Sequence, residues 1–188
     1  MAVGTNDPTL SDHLKVFIQT ADALVVGIIG EGSARELTSL WEAPFENDTP
    51  GSMFSKLGGM AQMGTGRTSM TTLNSTQVWG GTTPLSFSLT VEFYAVNDAY
   101  NEVQAAVIEL EKAASPELNN ATPWGRVPEQ VSINVGRQII YPECVITSIS
   151  KNLDGPIGRD GYPLNGEAQL QIQAIGTVNK SDIPSTFG

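Results

Sequence analysis

Few residues of this 188-residue chain have the types and spacing that catalysis requires. The segment from Gly64 to Ser69 is as rich in glycine as a phosphate-binding loop, but it lacks the lysine of that motif. Asp154 and Asp160 flank a glycine-rich turn, but their spacing is not that of an EF-hand and no closing glutamate follows. These segments therefore predict a flexible loop and an ordinary turn rather than ligand sites.

The chain has one histidine, His13, and one cysteine, Cys144. A single cysteine excludes an intrachain disulfide and a cysteine-based metal site. Cys144 lies in a strand-like apolar context, typical of a small buried side chain, and His13 lies near the N-terminus, so a catalytic thiol lacks a base. Carboxylate pairs such as Glu42 with Glu46 have surroundings typical of solvated faces. The sequence predicts a protein that is not an enzyme and that uses no metal or cofactor.

Acidic residues outnumber basic residues 20 to 10, so the net charge is −10. Proteins that hold nucleic acid by neutralising its phosphates need basic patches, so this class of binding is excluded. The charge is compatible with plain solubility or with a surface that nucleic acid must avoid. No stretch has the order of a signal peptide or the length of a transmembrane helix, so we expect no membrane insertion.

The clearest structural pattern runs from Pro84 to Pro116. Apolar residues alternate with polar ones at its start, which predicts a strand with one buried face. The apolar positions are Leu85, Phe87, Leu89, Val91 and Phe93, and the polar positions are Ser86, Ser88, Thr90 and Glu92. Asn97 or Asp98 then provides a helix cap, and apolar residues at helical spacing continue to Ala114.

The rest of the chain predicts further strands and two irregular segments. Strand patterns occupy residues 16–18, 23–29, 131–135, 139–141, 143–150 and 168–174, and residues 33–40 fit either a short helix or a strand. Met1–Pro8 predicts a polar arm, followed by a helical turn at residues 10–14 capped by Thr9 or Ser11. Residues 51–74 hold four of the five methionines and predict a long loop that packs on this subunit or a neighbour. Five to seven antiparallel strands with one main helix make an α+β fold.

Three segments can be compared with known families: Leu40–Glu46, then Val78–Leu89 with the helix that ends at Pro116, and then Tyr141–Ile146 leading through Asp160–Pro163 into the last strand. Together they resemble segments of tail-tube-like proteins in the baseplates of contractile-tailed bacteriophages. The resemblance implies a mainly antiparallel β-barrel of the tail-tube type with one packed helix, over residues 41–188 with a long loop at 51–74. Residues 1–40 would form an N-terminal arm and first strands that face partners in part.

The resemblance implies a structural virion protein, located in the tail baseplate and assembled in the host cytoplasm. A hexameric ring of this chain would join the central hub or spike to the tail tube, initiate tube assembly and line the DNA ejection channel. Its partners would be further copies, the tail tube protein, the hub or spike and neighbouring tube-like baseplate proteins, while genomic DNA passes without specific binding. The alternatives are a main tail-tube or tail-terminator subunit, or a soluble small-ligand binding domain with residues 51–74 as a lid.

The resemblance assigns roles to two sets of residues. Polar side chains of two strands would face the channel: Ser86, Ser88, Thr90, Glu92, Glu167, Gln169, Gln171 and Gln173. Aromatic residues and methionines would contact neighbouring subunits: Trp41, Phe45, Met53, Met60, Met63, Trp79 and Trp124.

Overall fold

The computed structural model describes residues 1–42, 76–118 and 125–188. Ten strands are present in these ranges, together with one α-helix and three short helical turns. The strands are β1 (Ala2–Gly4), β2 (Lys15–Gln19), β3 (Leu24–Ile29), β4 (Ala34–Glu36), β5 (Ser39–Glu42), β6 (Val78–Thr82), β7 (Ser86–Tyr94), β8 (Val131–Val135), β9 (Ile139–Lys151) and β10 (Asn165–Ala174). The turns are Asp12–Leu14, Tyr100–Gln104 and Ile183–Thr186, and the helix α1 is Ala105–Ala114.

The chain divides into two compact units, which are Met1–Glu36 with Pro84–Gly188, and Leu37–Thr83. In the first unit, six strands pair in the order β3-β2-β8-β9-β10-β7, and β7 pairs again with β3 to close a barrel. These pairings are antiparallel, whereas β1 adds to β3 in parallel and β4 adds to β7. In the second unit, the described residues form a two-stranded antiparallel ribbon of β5 and β6.

The barrel closes through a short contact between β3 and β7. Ile28 and Ile29 pair with Glu92 and Val91, respectively. Gly27 allows this approach, because a Cβ atom at that position would lie 2.3 Å from Cγ1 of Val91. The six strands form a continuous sheet without this contact, and the contact closes that sheet into a barrel.

The predicted alternation of β7 is confirmed. Phe87, Leu89, Val91 and Phe93 are buried in the core, while the polar residues between them lie on the other face. Apolar residues of β8 and β10 complete the same core. The helix α1 adds Ala106, Val107, Leu110 and Ala113, all of which are buried. One face of β7 therefore holds the barrel and helix together, as the period of two predicted.

The helix begins as predicted, with Asp98 as its cap. Asp98 Oδ1 accepts hydrogen bonds from the backbone amides of Tyr100 at 3.0 Å and Asn101 at 3.3 Å. The carboxylate of Glu102 accepts bonds from the backbone amides of Val96, Asn97 and Asp98. The first turn, Tyr100–Gln104, is π-helical and leads directly into α1. Asp98 thus satisfies amides that a helix N-terminus leaves without partners, and Glu102 satisfies amides of the segment that leads into the helix.

The predicted polar arm at Met1–Pro8 is wrong for its first half. Ala2–Gly4 forms β1, and Val3 and Thr5 are buried. The Thr5 hydroxyl accepts from the Tyr94 amide at 2.7 Å and donates to the Tyr94 carbonyl at 2.8 Å. Three residues are too few to show an alternating pattern, and their pairing with β3 is invisible in the local sequence.

Other local predictions are confirmed or replaced. The turn Asp12–Leu14 has Ser11 as its cap, because the Ser11 hydroxyl accepts from the His13 amide at 3.3 Å. The helical alternative for residues 33–40 is wrong, since strands β4 and β5 occupy this range. The predicted domain boundary after residue 40 stays a prediction, and the compact unit that contains the barrel includes residues 1–36. The predicted loop at 51–74 lies outside the described residues.

Substituting Gly27→Ala should destabilise the barrel. The added Cβ would overlap Val91 and Phe93, and overpacking of a filled core costs about 1–3 kcal/mol. Chemical denaturation measures the loss in the free energy of unfolding. Gly176→Ala is the matched control, because a Cβ there has no heavy atom within 4 Å. Equal stability of the two variants would contradict the proposed role of Gly27 in closure.

Substituting Asp98→Ala should lower the melting temperature at neutral pH. Hydrogen bonds from Asn101 and the nearby amides hold the pKa of Asp98 below its ordinary value of 3.8. The carboxylate therefore stabilises the fold above that value, and this contribution is lost as the pH falls through the lower folded pKa. Thermal melts of both proteins from pH 7 to pH 2 should converge at the acidic end, and a gap that is constant with pH would contradict the assignment. Asp160→Ala serves as a control in an exposed turn.

Candidate functional site

The eight residues predicted to face a channel lie together on one surface. They occupy the outer face of β7 and β10, which are adjacent antiparallel strands. Their pairing is direct: Ser86 with Gln173, Ser88 with Gln171, Thr90 with Gln169, and Glu92 with Glu167. None of the eight is buried, and the core lies on the opposite face of both strands. We call this set the polar face.

Hydrogen bonds order part of the polar face. Gln171 Nε2 donates to Ser88 Oγ at 3.0 Å across the two strands. Gln169 Nε2 donates to Glu167 Oε1 at 3.0 Å along β10. Side chains that bond one another in this way present amide and hydroxyl dipoles in fixed places, without a concentrated charge at the centre of the surface.

The polar face continues onto the strands at either side. Ser148 and Ser150 of β9 pair with Gln171 and Gln169, and both are exposed. Ala34 and Glu36 of β4 pair with Ser88 and Ser86 on the other side. Sequence reasoning missed these residues, although Ser148 and Ser150 alternate with Ile149. A register shift between Gln171 and Ile172 lies between the two halves of β9 and obscures the pattern.

One end of the polar face is acidic. Glu92 and Glu167 lie directly opposite each other on β7 and β10. Like charges in directly opposed positions of a sheet are unfavourable. Neither residue is within ion-pair distance of a cation among the residues that the structure describes. This pair therefore gives one end of the polar face a local negative charge.

Two of the residues predicted to contact neighbours lie on the ribbon of β5 and β6. Trp41 pairs with Trp79, so both indole rings project from the same side of this ribbon. The two side chains are 56% and 57% exposed, and Trp79 Nε1 donates to Ser39 Oγ at 3.1 Å. Exposed tryptophans of this kind are typical anchors of protein interfaces. The other predicted contact residues, Phe45, Met53, Met60, Met63 and Trp124, lie outside the described residues.

The candidate metal ligands and the single cysteine and histidine were located in the described ranges. Within residues 1–42, 76–118 and 125–188, no three His, Cys, Asp or Glu side chains are placed to hold a metal ion. Cys144 is buried on β9, and burial raises the pKa of its thiol to about 12. His13 is exposed on the Asp12–Leu14 turn. The glycine-rich segment at residues 64–69 lies outside the described part of the chain.

The sequence was compared with family models and with curated proteins. No family model matches the sequence, and no match is found among curated proteins. In the parts of the chain that the structure describes, none of the helices has the length and apolar character needed to cross a membrane.

The thiol of Cys144 should be inert in the folded protein. A pKa of about 12 instead of 9.0 lowers the thiolate fraction near neutral pH about a thousandfold, and burial blocks access as well. Ellman's reagent should therefore react with Cys144 only after guanidinium unfolds the chain. Ser150→Cys in a Cys144→Ala background is the control, because residue 150 is exposed on the same strand. Rapid labelling of native Cys144 would contradict its burial.

Proposed function

We propose that this chain is a structural protein of the bacteriophage virion, of the tail-tube-like type found in baseplates. Copies of the chain form a ring, and the polar face lines the channel through which the genome passes. The ring joins the hub or spike to the tail tube and starts tube growth. The observation that carries this proposal is the position of all eight predicted channel residues on one unburied surface.

The chemistry of the polar face supports passage of DNA without binding. Its side chains are hydroxyls, amides and carboxylates, and the adjacent strands add Ser148, Ser150 and Glu36. Nucleic-acid binding depends mainly on Lys and Arg contacts to phosphates, which these positions lack. The opposed carboxylates of Glu92 and Glu167 repel phosphates further. A polyanion would slide along such a surface with little attraction to it.

The ribbon supports assembly into a larger structure. Trp41, Trp79, Leu40 and Val78 are each about half exposed on two short strands. A concentration of apolar side chains on so few residues is typical of surfaces that are covered by a partner. In the proposed ring, a neighbouring subunit or the next baseplate layer covers the ribbon.

The alternatives differ in copy number. A main tail-tube subunit is abundant in the virion, whereas a baseplate ring or a terminator contributes only one ring. Quantitative mass spectrometry of purified virions of the encoding bacteriophage therefore separates a main tail-tube subunit from the two single-ring alternatives. A protein that is absent from virions and monomeric would instead favour the soluble small-ligand domain.

A reconstruction of the intact tail end tests the proposal directly. We expect rings of this chain with Gln169 and Gln171 on the inner wall. A map in which β7 and β10 face outward, or face another subunit, would overturn the channel assignment. The isolated protein is a weaker test, because ring formation can require the adjacent layer as a template.

Substituting Gln171→Lys should impair infection without preventing assembly. Each ring would carry one new cation per subunit in the middle of the polar face, and these cations would bind the phosphates of the passing genome. We expect infectivity to fall on the order of tenfold and DNA ejection in vitro to slow, most strongly at low salt.

Asn134→Lys is the matched control, since residue 134 is exposed on β8, away from β7 and β10 in the barrel order. Both variants should give virions with normal protein content. Equal infectivity of the two variants would contradict a channel role for Gln171.

A further inference from the structure

A cavity of about 510 Å³ opens at one end of the barrel, beside the turn between β3 and β4. Its volume lies in the range of small-molecule sites. Much of its wall is apolar and comes from side chains such as Ile29, Leu89, Ile139 and Phe187. Arg35 and Arg137 also line it, and none of the described residues in its wall is acidic. The cavity lined by Lys112 and Arg126 also has Asp22, Glu117 and Glu129 in its wall, so the barrel-end cavity differs from it in having two cations and, among its described residues, no acidic residue.

Arg35 is held in place by its neighbours. Its position on β4 is opposite Phe87, whose side chain is in the core, so Arg35 faces the barrel end rather than the polar face. Its Nη2 atom donates to Thr186 Oγ1 at 2.7 Å, and its guanidinium lies 4.3 Å from the ring centroid of Phe187. The last helical turn, Ile183–Thr186, thus fixes one side of the guanidinium.

The other side of the guanidinium lacks a partner. The Nη1 atom of Arg35 is shielded from solvent and has no hydrogen-bond acceptor among the described residues. Desolvation lowers the pKa of Arg35, and nearby Tyr141 acts in the opposite direction. An arginine stays charged at all physiological pH values, so it cannot relieve this cost by losing its proton. A guanidinium N–H group that is shielded from water and has no acceptor is unfavourable, so Arg35 would gain from an anion that approaches it through the cavity.

We propose that this cavity binds a carboxylate with an apolar body. Arg35 and Arg137 supply two cations to the carboxylate, and the apolar wall contacts the body of the ligand. Guanidinium groups bind carboxylates through two parallel hydrogen bonds, which suits this ligand class. The apolar wall distinguishes it from inorganic phosphate, which has no surface to bury there.

The carboxylate can come from a free organic acid or from an acidic side chain of a second copy of this chain. The chain carries 20 acidic residues, so copies of it are a ready source. The two sources share one chemistry and are separated by experiment below. The inference does not depend on the proposed virion function, because it concerns the barrel end and not the polar face.

The test titrates the purified full-length chain with benzoate, which has a carboxylate on an apolar ring. Benzamide has the same shape without the charge, and inorganic phosphate has the charge without the ring. Isothermal titration calorimetry and thermal shift report binding. We expect benzoate to bind at least tenfold more tightly than either control compound.

Two variants locate the binding site. Arg35→Gln and Arg137→Gln should each weaken benzoate binding on the order of tenfold or more, as expected for loss of a charged hydrogen-bond donor. Arg159→Gln is the matched control, because Arg159 is exposed in a turn and does not line the cavity. If Arg35→Gln does not fold, the affinity of Arg137→Gln for benzoate tests the site alone. The Arg137 side chain is exposed, so its replacement should leave the fold intact. The proposal would be overturned if benzoate did not bind, or if it bound no more tightly than benzamide or phosphate. It would also be overturned if the folded Arg variants bound benzoate as tightly as the unmodified chain.

Sedimentation velocity then identifies the source of the carboxylate. If a second copy fills the cavity, saturating benzoate should shift a self-associated species to the monomer, and Arg35→Gln should do the same. If the ligand is a free acid, benzoate binds and the sedimentation profile stays unchanged. Either result supports the carboxylate site once the titrations with benzoate have succeeded.

Discussion

The pairing of β3 with β7 is the contact on which the rest of the barrel depends. It consists of only two residue pairs, Ile28 with Glu92 and Ile29 with Val91, with a further bond from the Gly30 amide to the Thr90 carbonyl at 2.7 Å. Small residues allow it, because Cβ atoms at Gly27 and Gly30 would meet side chains of β7 within 3 Å. Without this contact, the end of β3 at Ile28 and Ile29 and the matching part of β7 would lose their partners across it, and the barrel would be open on one side.

Closure also fixes what each face of β7 can do. The side chains of the inner face must fill the barrel, whereas the side chains of the outer face do not contribute to the core. Because β10 pairs with β7 without a register shift over nine positions, the polar residues of both strands lie side by side. One register thus creates the core and the polar face together, and a slip of one residue would destroy both.

Features set by neighbouring residues were predictable from the sequence, and features set by distant pairing were not. The alternation of β7, the Asp98 cap and the burial of Cys144 all depend on local patterns, and the structure confirms them. Three features bring together segments that are far apart in the chain. They are the pairing of β1 with β3, the closure between β3 and β7, and the extension of the polar face to Ser148. Arg35 stands between Ala34 and Glu36, a context that predicts an ordinary exposed cation, and only the fold reveals its unpaired nitrogen.

The order of strands in the barrel has a consequence for how the chain acquires its structure. β2 is joined to β8, so Val16 near the start of the chain pairs with Val135 much later. Contacts of such long sequence separation are typical of slow folding. During synthesis, β1 and β7 emerge before β8 and can pair with β3, but the outer edge of β2 stays without its partner until β8 emerges. In that interval the edge of β2 is open to pairing with another chain.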